Sequence, residues 1–267
     1  MTAVTGEHAD QYVFDNDSPH AAEQHRCLAA MLDPITTSRL AETGVADGWH
    51  CLDVGAGSGG VARWLADRVA PTGSVLATDI NPNHLPAAPG LTVAVHDVVR
   101  DPLPDKGFDL INARLVLRHL PERIAVLRRL VGALRPGGWL QLDEFDTGYE
   151  QGLMADDHAR TQYAAFLGAK SAVMALAGVD GHWGRKAPAA MADAGLVDID
   201  VDVRVQTLRS DSPGAALLLH NTFHLRDRFV AVGFADDRLR EVRKIITDPS
   251  FLAASCPIYS VRGRRRS

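Results

Sequence analysis

The stretch Asp53-Val54-Gly55-Ala56-Gly57-Ser58-Gly59-Gly60 constrains this chain more than any other. The apolar run Cys51-Leu52-Asp53-Val54 leads into it, and Val61, Trp64, Leu65 and Val69 follow at helical spacing. The glycines therefore turn a buried strand into a helix. Glycine is required there if the backbone must approach a ligand or adopt a positive φ, and a plain tight turn is the bland alternative. Two binding templates fit. Gly55, Gly57 and Gly60 satisfy G-x-G-x-x-G, the dinucleotide fingerprint, which is a weak signal on its own. Asp53, Gly55, Gly57 and Gly59 satisfy D-x-G-x-G-x-G.

Acids separate the two. Asp53 ends the first strand, where it would repel a pyrophosphate but attract an ammonium group. Asp79 ends the second strand, where a carboxylate can accept both hydroxyls of a ribose, although dinucleotide enzymes place an acid similarly. Asp97 follows the third, in Val95-His96-Asp97-Val98. Each could instead be an ordinary turn acid. Three carboxylates on one sheet edge suit a ligand that is cationic at one end and hydroxylated in the middle.

Around the loop the pattern alternates. Residues 74–78, 91–95, 108–113 and 139–145 read as strands. Between the last two, a helix opens at Pro121, aligns Ile124, Leu127, Val131 and Leu134, and ends at Pro136-Gly137-Gly138. Strands and helices in this rhythm predict an α/β fold with a parallel sheet covered on both faces. Ahead of it, residues 21–40 predict two short helices broken at Pro34. Beyond Asp146 the rhythm lapses. Residues 150–180 read as helical, 188–194 as a helix, and 198–208 as a half-exposed strand carrying Ile199, Val201, Val203 and Val205. Helices over 213–232 and 236–247 and a strand over 256–261 complete the chain.

Composition enters mainly to exclude. A net charge of −5 over 267 residues gives no general field toward nucleic acid or anionic lipid. The tail Arg262-Gly263-Arg264-Arg265-Arg266 is the local exception, and a solvated, frayed terminus is the expectation for it. Cys27, Cys51 and Cys256 share no C-x-x-C spacing, which argues against a disulfide framework or structural zinc. The polar N-terminus does not resemble a secretory signal, and no run of about 18 apolar residues could span a bilayer. A cytoplasmic setting, with no nucleic-acid or membrane partner, is expected; a homodimer stays open.

With these residues in hand, the chain resembles the class I S-adenosylmethionine-dependent methyltransferases, in their actinobacterial-type small-molecule (natural-product) branch. The resemblance rests on the glycine loop with Asp53, on Ala77-Thr78-Asp79-Ile80, and on Phe108-Asp109-Leu110-Ile111. It continues through Ala113-Arg114-Leu115-Val116-Leu117-Arg118-His119-Leu120 and Leu134-Arg135-Pro136-Gly137-Gly138, in family order, over roughly residues 45–146. It implies a Rossmann-like seven-stranded sheet, order 3-2-1-4-5-7-6, with the last strand antiparallel and the two late strands forming that hairpin. It also implies that Asp53, Gly55, Gly57, Asp79, Ile80, Asp97, Val98, Ala113 and Arg114 line the cofactor, Asp97 meeting the adenine amino group. Tyr12 is either an aromatic over the sulfonium region or simple packing. One departure is plain: Pro82, Pro86 and Pro89 fall where the family has a helix, which should be short or absent here.

The resemblance further implies methyl transfer from S-adenosylmethionine to a small molecule, as in secondary metabolism. The reaction would be an in-line displacement driven mainly by positioning. A helical lid over 1–40 and cap insertions at about 148–182 and 210–250 would surround a domain over 41–267. His220 and His224, spaced i, i+4, are candidate bases, substrate anchors or ordinary polar residues. A metal would need a third ligand, so none is expected. His119, Glu144, Asp146, Tyr163 and His182 are candidates for the substrate pocket, with structural roles as the alternative. Two rivals remain: an NAD(P)-dependent oxidoreductase, and a non-methylating protein that keeps the cofactor. The acceptor and its methylated atom (O, N or C) are not legible.

Overall fold

The computed structural model describes residues 14, 20–85, 87–103 and 107–267. The elements run α1 (Ala21–Ala41), β1 (His50–Val54), α2 (Gly60–Val69), β2 (Ser74–Asp79), β3 (Leu91–Val95), β4 (Phe108–Arg114), α3 (Arg123–Ala133) and β5 (Leu134–Phe145). Next come β6 (Gln151–Gly152), α4 (Asp157–Leu176), α5 (Trp183–Asp193), β7 (Leu196–Arg204) and β8 (Thr207–Arg209). The chain ends with α6 (Pro213–His224), α7 (Arg226–Ala231), α8 (Asp236–Thr247), β9 (Leu252–Ala254) and β10 (Ile258–Arg265).

Two units emerge. The larger comprises Ala29–Asp146, His182–Arg204 and Pro257–Ser267. It holds a seven-stranded sheet of order β3-β2-β1-β4-β5-β10-β7, in which β10 runs antiparallel to both neighbours. Numbered within this sheet, the order is 3-2-1-4-5-7-6, as the resemblance implies. Alternate strand residues bury on opposite faces. Leu52, Val54, Ile111 and Leu140 pack with α3 and α5, while Cys51, Val75, Ala77 and Leu110 pack with α2. Because both faces are covered, β4 is buried without a break from Phe108 to Ala113, its polar Asp109 and Asn112 included.

The smaller unit gathers the described part of Met1–Leu28, Thr147–Gly181 and Val205–Cys256. Its α4, α6, α7 and α8 accompany a three-stranded sheet of order β6-β9-β8. Tyr163, Phe166, Phe229, Phe234 and Phe251 form its aromatic core, with Tyr163 and Phe251 edge to face at 5.4 Å.

Several boundaries differ from expectation, each for a packing reason. α1 continues through Pro34, because Leu32, Ile35 and Leu40 are buried along one side and outweigh one missing backbone donor. α5 likewise contains Pro188 and begins at Trp183, held by buried Trp183, Ala187 and Met191. The expected strand 198–208 is two strands: β7 lies in the large sheet and β8 in the small one. β7 and β10 are paired neighbours without being a hairpin, since Val205–Cys256 intervenes. β5 starts five residues earlier than read, at Leu134, and the helix expected over 213–232 divides at Leu225.

The arginine tail is a larger correction. It is not frayed but forms the end of β10. Arg262 pairs with Glu42 and Asp200, each at 2.9 Å. Arg264 donates to the Gly137 carbonyl at 2.9 Å, and Arg265 donates at 2.8 Å to the carbonyl of Gly132 in the last turn of α3. A cation at a helix C-terminus satisfies orphan carbonyls and complements the helix dipole.

Candidate functional site

β1 delivers the chain into the glycine loop, where Gly55, Gly57 and Gly59 take φ of +65°, +55° and +77°, a region that side chains disfavour. Three N–H groups of the loop are engaged within the chain. Ala56 N–H donates to the Thr78 carbonyl at 3.0 Å, Gly59 N–H to the Ala56 carbonyl at 2.9 Å, and Gly57 N–H to Asp79 Oδ2 at 3.0 Å. A Cβ on Gly60 would collide with Asp33 Oδ2, so a carboxylate already stands against the first turn of α2. That position is favourable for an acid, because the helix N-terminus carries partial positive charge.

Asp53 is buried near the end of β1. Asn112, its direct partner across the parallel β1–β4 ladder, donates Nδ2 to Asp53 Oδ1 at 2.7 Å. Asp53 Oδ2 has no hydrogen-bond partner among the described residues. Burial pushes this carboxyl up to about 6, against the hydrogen bond from Asn112 and the nearby Arg114 charge. Arg114, at the end of β4, donates to Asp33 Oδ1 of α1 at 2.7 Å and to Thr36 Oγ1 at 3.3 Å. The next residue, Leu115, holds φ +56°, a strained value for a branched side chain of the kind that concentrates at functional sites.

Asp79 accepts a backbone N–H at each oxygen, from Gly57 and from Asn81, both at 3.0 Å. Ile80 beside it is 46% exposed, an apolar surface at the sheet's carboxyl edge. Among the described residues of the proline-rich segment that follows, the 3-10 turn Pro82–His84 is the helical part, and Ala88 bridges to Leu91. Asp97 lies two residues beyond β3 and organises its own turn. Its Oδ1 accepts Val99 N–H at 2.8 Å, and Oδ2 is 3.7 Å from Arg100. Val98 and Ala113 are core residues.

Farther along the carboxyl edge, Glu144 lies near the end of β5 and is fully buried. Its Oε1 accepts the Leu117 N–H at 3.0 Å, and burial pushes the carboxyl up to about 8. It is thus a buried tie for the segment after β4, not an exposed acid. His119 sits in the 3-10 turn Leu117–His119, where burial, with Arg118 and Arg123, pushes it down to about 3. A histidine so acidic is neutral at pH 7 and weakly basic. Asp146, fully buried, is held bidentately by Arg185, with Nη2 at 2.8 Å, and is 3.3 Å from His182 Nδ1. His182 precedes α5 but makes no side-chain cap to it.

The remaining candidates belong to the smaller unit. Tyr163 is 1% exposed in its aromatic core, which gives it a packing role in place of the expected pocket contact. His220 and His224 share α6, with His220 Nε2 at 3.9 Å from Glu23 and the His224 ring 5.5 Å from Phe14. Tyr12 lies outside the described residues.

Reading the sequence missed Asp33, Asn112 and Leu115. An amide inside the apolar run of β4 was a visible signal for Asn112, whereas nothing local marks Asp33, whose role depends on α1 lying beside Gly60 and Arg114.

Residues 52–142 match the family described as the methyltransferase domain. The chain is 42% identical over 99 residues to methyltransferase str2 of Strobilurus tenacellus, covering 36% of this chain and 35% of that protein. It is 35% identical over 114 residues to the ubiquinone/menaquinone biosynthesis C-methyltransferase UbiE of Laribacter hongkongensis, covering 40% of this chain and 47% of that one. The chain thus spans less than half the length of either relative. Among solved structures, phosphoethanolamine N-methyltransferase 2 of Haemonchus contortus, in complex with S-adenosyl-L-methionine, aligns with a TM-score of 0.60 at 15% identity. That alignment covers all of this chain and 62% of the other, and at this identity it establishes a common fold.

Proposed function

We propose that this chain is an S-adenosylmethionine-dependent methyltransferase acting on a small molecule. The observation that carries the reading is Asp53: a buried carboxylate with one oxygen tied to Asn112 and the other unpartnered, beside the glycine loop. A buried charge is costly unless paired, so the site fits a ligand that brings a cation. The methionine end of S-adenosylmethionine carries an ammonium. When bound, the cofactor supplies an activated methyl on a sulfonium, whose leaving group is already good.

The loop argues against a dinucleotide. A diphosphate needs the N–H groups of the loop and the N-terminus of α2. Here the N–H groups of Ala56, Gly57 and Gly59 are engaged, and Asp33 faces the first turn of α2. The match of 52–142 to a methyltransferase domain points the same way. In this reading Asp53 seats the ammonium, Asp79 accepts ribose hydroxyls while bracing the loop through Gly57, Ile80 packs on the base, and Asp97 meets its amino group. Gly55, Val98, Ala113 and Arg114 complete the lining. Positioning of this kind can supply roughly 7–11 kcal/mol of a barrier.

The acceptor is a small molecule of natural-product metabolism, selected by residues of the smaller unit; the apolar and aromatic content of 148–182 and 210–250 supports that assignment. His220 and His224 are its candidate base or anchor. Isothermal titration tests the core of the reading. S-adenosylhomocysteine should bind, and NAD(H) should not. The opposite pattern favours an oxidoreductase, and binding without methyl release across chemically broad acceptors favours a protein that only retains the cofactor.

A further inference from the structure

Asn112 is 1% exposed in the middle of a strand whose other interior residues are apolar or small, apart from Asp109. A buried amide needs a reason. Its Nδ2 donates to Asp53 Oδ1 at 2.7 Å, and its own Oδ1 has no partner among the described residues. The reversed amide would set two acceptors against each other, so the chemistry fixes its orientation. The pairing follows from register, since Asp53 and Asn112 are opposite each other in the β1–β4 ladder.

We propose that Asn112 is a positioning residue for the cofactor's cationic end: its amide ties down Asp53 Oδ1 so that Oδ2 alone is presented to a ligand ammonium. The proposal rests on the methyltransferase reading above. The charged groups around Asp53 leave this task to Asn112. Arg114 on β4 is engaged by Asp33 of α1 at 2.7 Å, while Asp33 and Asp79 of β2 both oppose ionisation of Asp53. Burial raises Asp53 to about 6, and the Asn112 hydrogen bond is the largest influence holding it down. Without that donor the carboxyl should be protonated near neutrality, and a protonated acid attracts an ammonium weakly.

The isosteric pair Asn112→Val and Asn112→Thr tests this, since both suit a strand and only threonine keeps a donor. Affinity for S-adenosylhomocysteine is measured by isothermal titration from pH 5.5 to 8.5, each variant against the unsubstituted chain at the same pH. Asn112→Val should bind about tenfold more weakly at pH 7, with the gap narrowing to about 1.3-fold at pH 8.5, as expected if the Asp53 midpoint rises from about 6 to about 8. Asn112→Thr should stay within about threefold throughout. Carboxyl carbon-13 titration of Asp53 in the ligand-free protein should show the same upward displacement in Asn112→Val. A loss of equal factor at every pH, or an unmoved Asp53 midpoint, overturns the positioning role. Failure of the unsubstituted chain to bind S-adenosylhomocysteine at any pH overturns the methyltransferase reading, and the proposal with it.

Discussion

Asp79 braces Gly57 and Asn81, and in the proposed reading the same carboxylate also takes the ribose hydroxyls, so one substitution would remove both. Charge-assisted hydrogen bonds contribute about 1.5–3 kcal/mol each. Asp79→Ala should therefore weaken S-adenosylhomocysteine binding by roughly 10- to 100-fold, while His220→Ala should leave it within about twofold; equal losses in a titration would contradict the assignment of cofactor binding to the sheet edge. Glu144 offers a separate test by pH. Its folded-state value, about 8, lies above its ordinary 4.5, so the protonated acid is favoured by folding. Its contribution is complete below about pH 4.5 and is lost as pH rises through 8. Glu144→Gln keeps an acceptor for Leu117 N–H but carries no charge. Chemical denaturation should show it more stable than the parent above pH 8, by up to a few kcal/mol, with little difference at pH 4.5. A constant difference across that range would show that Glu144 does not titrate as described.

Elements carry information that residue types alone conceal. The arginine-rich end reads as a solvated tail because charge runs usually are, yet β10 uses those arginines as ties to the 132–137 segment. Removing residues 264–267 should lower the melting temperature by about 2–6 °C, since about 1–2 kcal/mol shifts a domain of this size by that much; an unchanged melting curve would restore the frayed-tail reading. The first part of β5 is a tighter constraint. A Cβ on Gly138 would lie 2.8 Å from the Phe108 carbonyl and 3.0 Å from that of Arg135, both backbone atoms with little room to yield. Gly138→Ala should destabilise by about 1–3 kcal/mol in equilibrium unfolding, the cost typical of overpacking. Both prolines inside helices teach the complementary lesson. A single missing donor does not end α1 or α5 where buried side chains fix the path on either side of it.

At the scale of the whole molecule, ligand binding should stabilise what it touches. S-adenosylhomocysteine at about 100 times its dissociation constant should add roughly 2.7 kcal/mol of stability. Hydrogen exchange should place the added protection in β1, the glycine loop and the end of β2, and protection confined to the β6-β9-β8 sheet would contradict the site. The sequence by itself determined the alternating core, the strand order implied by its motifs, the glycine loop with Asp53 and Asp79, and the short turn that opens at Pro82. Those are local: periodicity, φ preference and a missing donor act within a few residues of the side chain that causes them. Only the tertiary structure decided that Asn112 holds Asp53, that Asp33 faces Gly60 and Arg114, that Tyr163 is core, and that the chain between β7 and β10 leaves the large sheet to build a second unit. These depend on strand register and on contacts between segments far apart in the chain, where burial and pairing energies override what any short stretch prefers.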